Sequence, residues 1–149
     1  MPSIREIRRL PYTHEQMFDL VADVGSYRKF LPWVIATRVR ANSETEMTAD
    51  MVVGFKSLRE SFTSRVTKDR PNEIRVHYVD GPLSDLENIW QFRKYGNESC
   101  EIDFYVDFTF RNAMFERIAG QYFDRAFRKM VEAFEKRAAE LYDTDPALG

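Results

Sequence analysis

The sequence is poor in the residues that build covalent or metal-bound scaffolds. It has one cysteine, Cys100, so no disulfide can form within the chain. Its two histidines, His14 and His77, with a single thiol, do not suggest a metal cluster. These shortages argue against a disulfide-rich secreted domain and favour a reducing compartment, and we expect a cytoplasmic protein.

Long apolar runs are missing too. No stretch approaches the roughly 18 uncharged apolar residues that a membrane-spanning helix needs, and the first residues lack the apolar segment of a signal peptide. We therefore expect, at most, peripheral and transient contact with the surface of the inner membrane. The formal net charge of −2 gives no overall attraction for nucleic acid, and we expect no DNA binding.

Recognisable catalytic motifs are also absent. The chain has no phosphate-binding glycine loop, no His-Glu-x-x-His, no Gly-x-Ser-x-Gly and no dinucleotide fingerprint. We predict a protein that is not an enzyme and requires no cofactor. The alternative is a cyclase or hydrolase, and Glu60 with Tyr78 is the pair that such an enzyme would use.

Large apolar side chains, by contrast, are abundant. Aromatic residues make up 14% of the chain and hydrophobic residues 44%, with no composition break along the sequence. This predicts a single domain over residues 1–142, followed by a flexible tail at 143–149.

The last 31 residues of that domain, Asn112 to Tyr142, have the pattern of one long amphipathic helix. Apolar residues recur at three- and four-residue intervals, and Asn112 is placed as an N-cap. Within the apolar stripe we expect Phe134, Ala138 and Leu141 to pack, and Tyr122, Phe123 and Phe127 to meet a ligand. Gly120 indicates either close approach by another segment or a tolerated helix glycine.

The N-terminal third predicts one strand and two short helices. Ser3–Leu10 reads as an edge strand, and Thr13 with Gln16 forms a capping box at the start of a helix. A second short helix is expected over Val24–Phe30, before Pro32.

From Val34 to Phe110 the hydrophobic period changes to two. Apolar and polar residues alternate through five segments, Val34–Asn42 is counted as a sixth, and the connections are too short for helical crossovers, which predicts a sequential antiparallel meander. With the first strand, this gives an α+β fold in which a seven-stranded curved antiparallel sheet wraps around the long C-terminal helix. We expect a cavity at one end, beneath the two short helices. The six segments are Val34–Asn42, Glu46–Phe55, Leu58–Lys68, Ile74–Tyr78, Leu86–Phe92 and Cys100–Phe110.

Strand alternation assigns the polar residues to faces. Glu60 and Asn88 share the parity of inward residues, so they are candidates to meet a polar ligand group. The acidic residues Glu101, Asp103 and Asp107 fall on the outer face, where we expect solvated side chains. Cys100 has inward parity and reads as inert core.

Aromatic residues dominate the inward positions. They either fill the core or line a cavity for a large apolar ligand, together with the flexible Met51 and Met130. The rings are Phe30, Trp33, Phe55, Phe62, Tyr78, Trp90, Phe92, Tyr122, Phe123 and Phe127.

Basic residues recur along the chain and are interleaved with acids. They form a mixed solvated surface or, if they converge near the cavity, a site for anionic lipid headgroups or ribosomal RNA. The set comprises Arg5, Arg8, Arg9, Arg38, Arg40, Arg59, Arg65, Arg125, Arg128 and Lys129.

Two segments carry a family resemblance. Together with the predicted order of elements, they resemble the coenzyme Q-binding branch of the START-like, polyketide cyclase/dehydrase superfamily. The two segments are Val24-Gly-Ser-Tyr-Arg-Lys-Phe-Leu-Pro-Trp33 and Asp80-Gly-Pro-Leu-Ser-Asp-Leu-Glu-Asn-Ile-Trp-Gln-Phe92. The resemblance implies a helix-grip fold whose hydrophobic tunnel binds ubiquinone, and a lipid chaperone that supports respiratory electron transfer or quinone biosynthesis. The same branch includes bacterial ribosome-association toxins, which makes a ribosomal subunit the alternative partner. The N-terminal residues do not read as a mitochondrial presequence, which favours a bacterial protein.

The resemblance also assigns residues to the tunnel. It implies a lid from Tyr27, Phe30, Leu31, Pro32 and Trp33, and an adjoining hairpin and wall from Gly81, Pro82, Leu83, Leu86, Asn88, Trp90 and Phe92. Combined with the inward residues Met51, Phe55, Glu60, Phe62, Tyr78, Tyr122, Phe123 and Phe127, these define the predicted ligand-binding set.

Overall fold

The computed structural model describes residues 3–55 and 58–143, with the side chains of Phe55 and Leu58 outside that description. The predicted flexible tail lies, apart from Asp143, outside the described residues. Seven strands, two α-helices and one 3-10 helix follow in the predicted order. They are β1 (Ser3–Leu10), α1 (His14–Ala22), the 3-10 helix (Val24–Lys29), β2 (Val34–Asn42), β3 (Glu46–Phe55), β4 (Leu58–Asp69), β5 (Glu73–Asp80), β6 (Leu83–Lys94), β7 (Cys100–Phe110) and α2 (Ala113–Tyr142).

The strands form a single antiparallel sheet in the order β1-β7-β6-β5-β4-β3-β2. Strands β2 to β7 follow one another as the predicted meander, and β1 closes the sheet by pairing with β7 from Ser3–Asp107 to Leu10–Cys100. This confirms the helix-grip architecture.

One face of the sheet packs against α2. On β7, Ile102 and Phe104 lie on that face, and they pair with Phe92 and Trp90 of β6. The period of two therefore assigns one row of side chains to the core and the next row to the outer surface.

Helix α1 begins with the predicted capping box. The Gln16 backbone N–H donates to the Thr13 hydroxyl over 3.1 Å, and the Thr13 backbone N–H donates to the Gln16 side-chain carbonyl over 2.9 Å. Both bonds satisfy donors that a helix start leaves unpaired. The apolar face of the helix, with Met17 and Val21, is buried in the core.

Helix α2 runs over the sheet and is capped by Asn112, whose side chain accepts from the backbone N–H groups of Met114 and Phe115. Phe127 and Phe134 are buried, and Ala138 is fully buried. The prediction that Leu141 also packs is wrong: its side chain is 48% exposed, and the adjacent Tyr142 takes the core-facing position at the end of α2. No described helix combines the length and apolar character needed to cross a membrane.

The C-terminal end of α2 contacts the segment that begins α1. The Tyr12 hydroxyl donates to the Asp143 carboxylate over 2.8 Å, and the Tyr142 hydroxyl donates to the Gln16 backbone carbonyl over 3.0 Å. The Tyr12 and Tyr142 rings lie 6.2 Å apart between centroids. These contacts fix the C-terminal end of α2 against the start of α1.

Two further expectations are corrected. Asp103 lies on the outer face as predicted, but it is buried rather than solvated, because Arg5 and Arg93 cover its carboxylate. Close approach at Gly120 is not seen: the residue is exposed, and a side chain there would meet nothing within 4 Å. Gly120 is therefore a tolerated helix glycine.

Candidate ligand-binding site

The predicted lid residues gather over the C-terminal half of α2. Tyr27, Phe30 and Phe134 form a mutual edge-to-face cluster, with ring centroids 5.2 to 5.9 Å apart. The Tyr27 hydroxyl donates to the Val21 backbone carbonyl. Burial, followed by the nearby Asp23 carboxylate, raises the pKa of Tyr27 well above its usual value, so the hydroxyl stays protonated. Leu31 is buried and Trp33 is half-buried against the same core.

Trp90 is the centre of the apolar wall. Its ring lies 4.6 Å from Phe104, 5.5 Å from Phe134 and 6.3 Å from Phe92, so it joins β6, β7 and α2. Phe104 was not among the predicted ligand residues, although its inward parity on β7 was visible in the sequence. Leu83, also on the predicted wall, is buried.

Asn88 holds the Trp90 indole in place. The Trp90 Nε1–H donates to Asn88 Oδ1 over 3.2 Å, and Asn88 Nδ2 donates to the Tyr105 backbone carbonyl over 2.9 Å. The predicted inward amide therefore has protein partners for its oxygen and for one of its two hydrogens.

A second aromatic row lies under the N-terminal half of α2. Phe123 contacts Phe108 at 5.3 Å between centroids and continues to Phe127, which lies 5.4 Å from Phe104. Tyr122 is half-buried beside Arg125, whose guanidinium carbon lies 5.9 Å from the ring centroid. Phe123 and Phe134 are eleven residues apart, about 16 Å along the helix, and contacts through Phe104 and Trp90 link the two aromatic groups.

The predicted residues of β3 and β4 lie on the same sheet face, farther from α2. Met51 pairs with Phe62, and Glu60 pairs with Val53; all four are half-buried. The position of Phe55 on β3 is described, but its side chain lies outside the described residues. This part of the sheet presents accessible apolar surface beside a carboxylate.

The apolar interior beneath α2 contains only a small cavity among the described residues. A cavity of about 50 Å³ lies between β1, α1, β7 and α2, lined by Met17, Val21, Trp90, Phe104 and Phe127 among others. Arg8 and Glu135 join β1 to α2 at its rim, over 2.6 Å. This space holds one or two water-sized molecules, not a lipid.

A larger cleft of about 440 Å³ opens between β5 and β6. Pairing of these strands ends at His77–Glu87, although both strands continue towards the Gly81–Pro82 turn. The cleft is lined by residues of both sheet faces, among them Val76, Tyr78, Leu86 and Asn88 from the inner face. Its volume falls within the usual range for small-molecule sites.

Other reactive residues have structural surroundings. Cys100 is fully buried, and burial raises the pKa of its thiol to about 11, which agrees with inert core. His77 lies on the outer face, where its Nε2 is 3.3 Å from the Thr67 hydroxyl, and His14 Nδ1 lies 2.7 Å from Glu15. No group of three or more metal-ligating side chains converges within residues 3–55 and 58–143.

Residues 10–135 match the family described as polyketide cyclase/dehydrase and lipid transport. The ribosome association toxin RatA of Escherichia coli is 37% identical over 142 residues, covering 95% of this chain and 90% of that protein. The mitochondrial coenzyme Q-binding protein COQ10 homolog B of Xenopus laevis is 33% identical over 141 residues, covering 92% of this chain and 58% of that protein. A START superfamily protein from Mycobacterium smegmatis has a similar fold, with a TM-score of 0.77 and 16% identity over 93% of this chain and 98% of that one.

Proposed function

Because this chain belongs to the polyketide cyclase/dehydrase and lipid transport family, we propose that it is a non-enzymatic carrier of a hydrophobic ligand, with ubiquinone as that ligand. The observation that carries the proposal is the apolar sheet face opposite α2. Rings from β6, β7 and α2 line it continuously, and the half-buried Met51 and Phe62 extend it towards β3 and β4.

Such a surface suits a polyisoprenoid tail. Apolar burial contributes about 25 cal/mol per Å², so a long tail binds chiefly through the area that it covers, without specific polar contacts. The cavity of about 50 Å³ is too small for a tail, so binding along the aromatic wall requires α2 to move away from that wall, whereas the sheet around Met51 and Phe62 is already accessible. The printed name of the Xenopus relative, a coenzyme Q-binding protein, supports a quinone as the head group.

The surroundings of the alternative catalytic pair favour a carrier. The Tyr78 hydroxyl accepts a hydrogen bond from the Leu83 backbone N–H over 2.9 Å and thereby supports the β5–β6 turn. Glu60 lies on β4 opposite Val53. Because Tyr78 also supports a turn, its hydroxyl is restrained from moving with a reacting substrate. We therefore propose that Tyr78 and Glu60 bind the ligand and do not catalyse a reaction. We further propose that the carrier works in the cytoplasm and exchanges its ligand at the inner membrane.

Extraction and mass spectrometry of the purified protein test the carrier function, followed by calorimetric titration of the delipidated protein with ubiquinone. We expect a co-purifying polyisoprenoid quinone and saturable binding near one to one. Phe62→Asp is the informative variant because it puts a charge on the accessible apolar wall, and Ser61→Asp at the exposed neighbouring position on the outer face is its matched control. Absence of both co-purified lipid and titratable binding would rule the function out.

The second candidate is a factor that binds a ribosomal subunit. The exposed face of α2 carries Arg125, Arg128, Lys129 and Lys136, and none of them forms an ion pair with another described residue. Unpaired cations on one helix face suit a phosphate backbone. The RatA relative, named a ribosome association toxin, supports this candidate.

Co-sedimentation with purified subunits tests it. A triple charge reversal of Arg125, Arg128 and Lys129 should abolish binding that weakens with salt. The matched control reverses Arg40, Arg65 and Arg75, which are ion-paired on the sheet. Equal effects of the two triple variants would show that any association is nonspecific attraction to RNA.

A further inference from the structure

We infer that the cleft between β5 and β6 binds the polar head of the carried ligand, with Tyr78 and Asn88 as hydrogen-bond donors to its carbonyl oxygens. This inference rests on the proposed carrier function and adds the orientation of the ligand. The head would lie between the two strands, and the tail would run inward along the aromatic wall under α2.

The cleft is built by two β-bulges. Tyr78 and Asp80 of β5 pair with the consecutive β4 residues Ser64 and Thr63, which leaves Val79 as an extra residue on β5. On β6, Leu83 pairs with Phe110 and Asp85 with Thr109, which leaves Ser84 as an extra residue. Bulges bend the strand that carries them. Here the bulges lie on the neighbouring strands β5 and β6. Past the bulges β5 stays paired with β4 and β6 stays paired with β7, so the sheet opens between β5 and β6.

Both ends of the cleft are defined. The last β5–β6 pair, His77 with Glu87, closes one end. At the other end the Leu83 backbone N–H donates to the Tyr78 hydroxyl, beneath the turn at Gly81. Gly81 has φ +146°, and a Cβ there would lie 2.9 Å from the Ser61 carbonyl and 3.1 Å from the Tyr78 hydroxyl. The turn thus folds back on β4 and holds the opening in one shape.

Two donors on the inner face of the cleft remain available. Tyr78 Oη accepts from Leu83, and no described residue accepts its own O–H hydrogen. Asn88 Nδ2 uses one hydrogen on the Tyr105 carbonyl, and the other has no partner within the described residues. A ligand with carbonyl oxygens and no donors of its own matches this pair, because the protein supplies both hydrogens.

Asn88 also connects the head site to the apolar wall. Its Oδ1 accepts from Trp90 Nε1, and Trp90 contacts Phe104 and Phe134. A head group that bonds to Asn88 therefore has the aromatic wall within reach of the first part of its tail. The polar outer lip of the cleft, with Arg75, His77 and Glu87, keeps the opposite side of the head in contact with water.

Paired titrations test the inference. Decylubiquinone and decylbenzene carry the same alkyl tail, but only the quinone has carbonyl oxygens. We expect Tyr78→Phe to weaken decylubiquinone binding about fivefold, the size of one hydrogen bond, and decylbenzene binding less than twofold. Tyr105→Phe makes the same chemical change on the outer face and should alter neither. Equal weakening of both ligands by Tyr78→Phe, or weakening of neither, would overturn the inference.

A cross-linking experiment avoids changing the donors. Asp85 is an exposed lining residue on β6, and Val79 is exposed on β5 next to the lining residue Tyr78, so Val79→Cys with Asp85→Cys is the pair to bridge with a short bis-maleimide. The matched control is the same double variant capped by N-ethylmaleimide. Bridging should slow decylubiquinone uptake at least tenfold relative to capping, whereas equal uptake would contradict the inference. If the unmodified protein bound neither ligand, the carrier function itself would fail.

Discussion

The Arg5 guanidinium donates two hydrogen bonds to the Asp103 carboxylate, over 2.8 Å and 3.2 Å, across the pairing of the first strand with the last. Asp103 is only 4% exposed, and Arg93 approaches it from β6 over 3.4 Å. Arg5 and Asp103 are 98 positions apart in the sequence, so their contact reports directly on the pairing of β1 with β7.

Asp103 gives the fold a pH dependence. The hydrogen bonds from Arg5, with the positive charges of Arg5 and Arg93, hold the pKa of Asp103 below its usual value. A lowered carboxyl pKa in the folded state stabilises the protein fully above the unfolded pKa of about 3.9, and that contribution is lost as the pH falls through the folded value. We expect Asp103→Asn to lower the free energy of unfolding by about 1–3 kcal/mol at pH 7.

Urea unfolding at pH 7 and near pH 3 measures this contribution. The difference between the wild type and Asp103→Asn should shrink at the lower pH. Glu98→Gln, on the exposed β6–β7 connection, is the control and should leave the stability unchanged. A difference that is constant with pH would contradict the assignment.

Trp90 should be the most costly ring to remove. It contacts Phe92, Phe104 and Phe134, and truncation of such a side chain leaves a cavity between sheet and helix. We expect Trp90→Ala to destabilise the protein by about 3–5 kcal/mol in chemical denaturation. Trp33→Ala, at a half-buried position, should lose less; equal losses would show that Trp90 is not the centre of the core.

Gly120 offers a stabilising substitution. It is exposed within α2, and a methyl group there meets nothing within 4 Å. Gly120→Ala should raise the free energy of unfolding by about 1 kcal/mol, because alanine loses less backbone entropy in a helix. Gly81→Ala should do the opposite, since its positive φ and the nearby Ser61 carbonyl leave no room. Thermal melts that moved in the same direction would refute this contrast.

Both carboxylate oxygens of Glu116 are buried, and neither has a hydrogen-bond partner among the described residues. Its place in the first turn of α2 is favourable to a negative charge, by about 0.3–1 kcal/mol, but an unpaired buried carboxylate costs more. Glu116→Leu should therefore stabilise the protein by about 1 kcal/mol in denaturant unfolding. Glu132→Leu on the exposed face serves as the control, and a loss of stability specific to Glu116→Leu would reveal a partner.

Cys100 should resist alkylation while the protein is folded. Burial raises its thiol pKa to about 11, so almost no thiolate forms at pH 8, and the side chain is inaccessible. Mass spectrometry after iodoacetamide treatment should find no adduct in the native protein. It should find full modification in about 6 M guanidinium, which unfolds most domains. Rapid native modification would indicate opening between β6 and β7.

The fold followed from the sequence because the dominant signal was periodic. Five runs of alternating residues and one helical stripe each specified an element and its buried face, and short connections allowed only a meander. The inward positions of Trp90, Phe92 and Asn88 came from the same alternation. The incorrect predictions concerned contacts that no local pattern records. Asp103 was predicted to be solvated because Arg5, which covers its carboxylate, lies on a strand that is distant in the sequence.

The opening between β5 and β6 was equally hidden. Alternation predicts the faces of a regular strand, whereas the bulges at Val79 and Ser84 shift pairing by one residue and arise from register with β4 and β7. Leu141 was misassigned for a related reason, since the helical pattern does not distinguish Leu141 from Tyr142, and contact with α1 places Tyr142 against the core. The residues of the candidate site were thus partly predictable, but its shape was not.

Strand β1 has a single neighbour, β7, and that pairing has a kinetic consequence. Ser3 pairs with Asp107, so β1 remains without a sheet partner during synthesis until β7 has been made. Contacts of such long range make folding slow compared with that of helical proteins of the same size. During translation the meander can grow hairpin by hairpin, while β1 and its exposed Ile7 await the strand that completes the sheet.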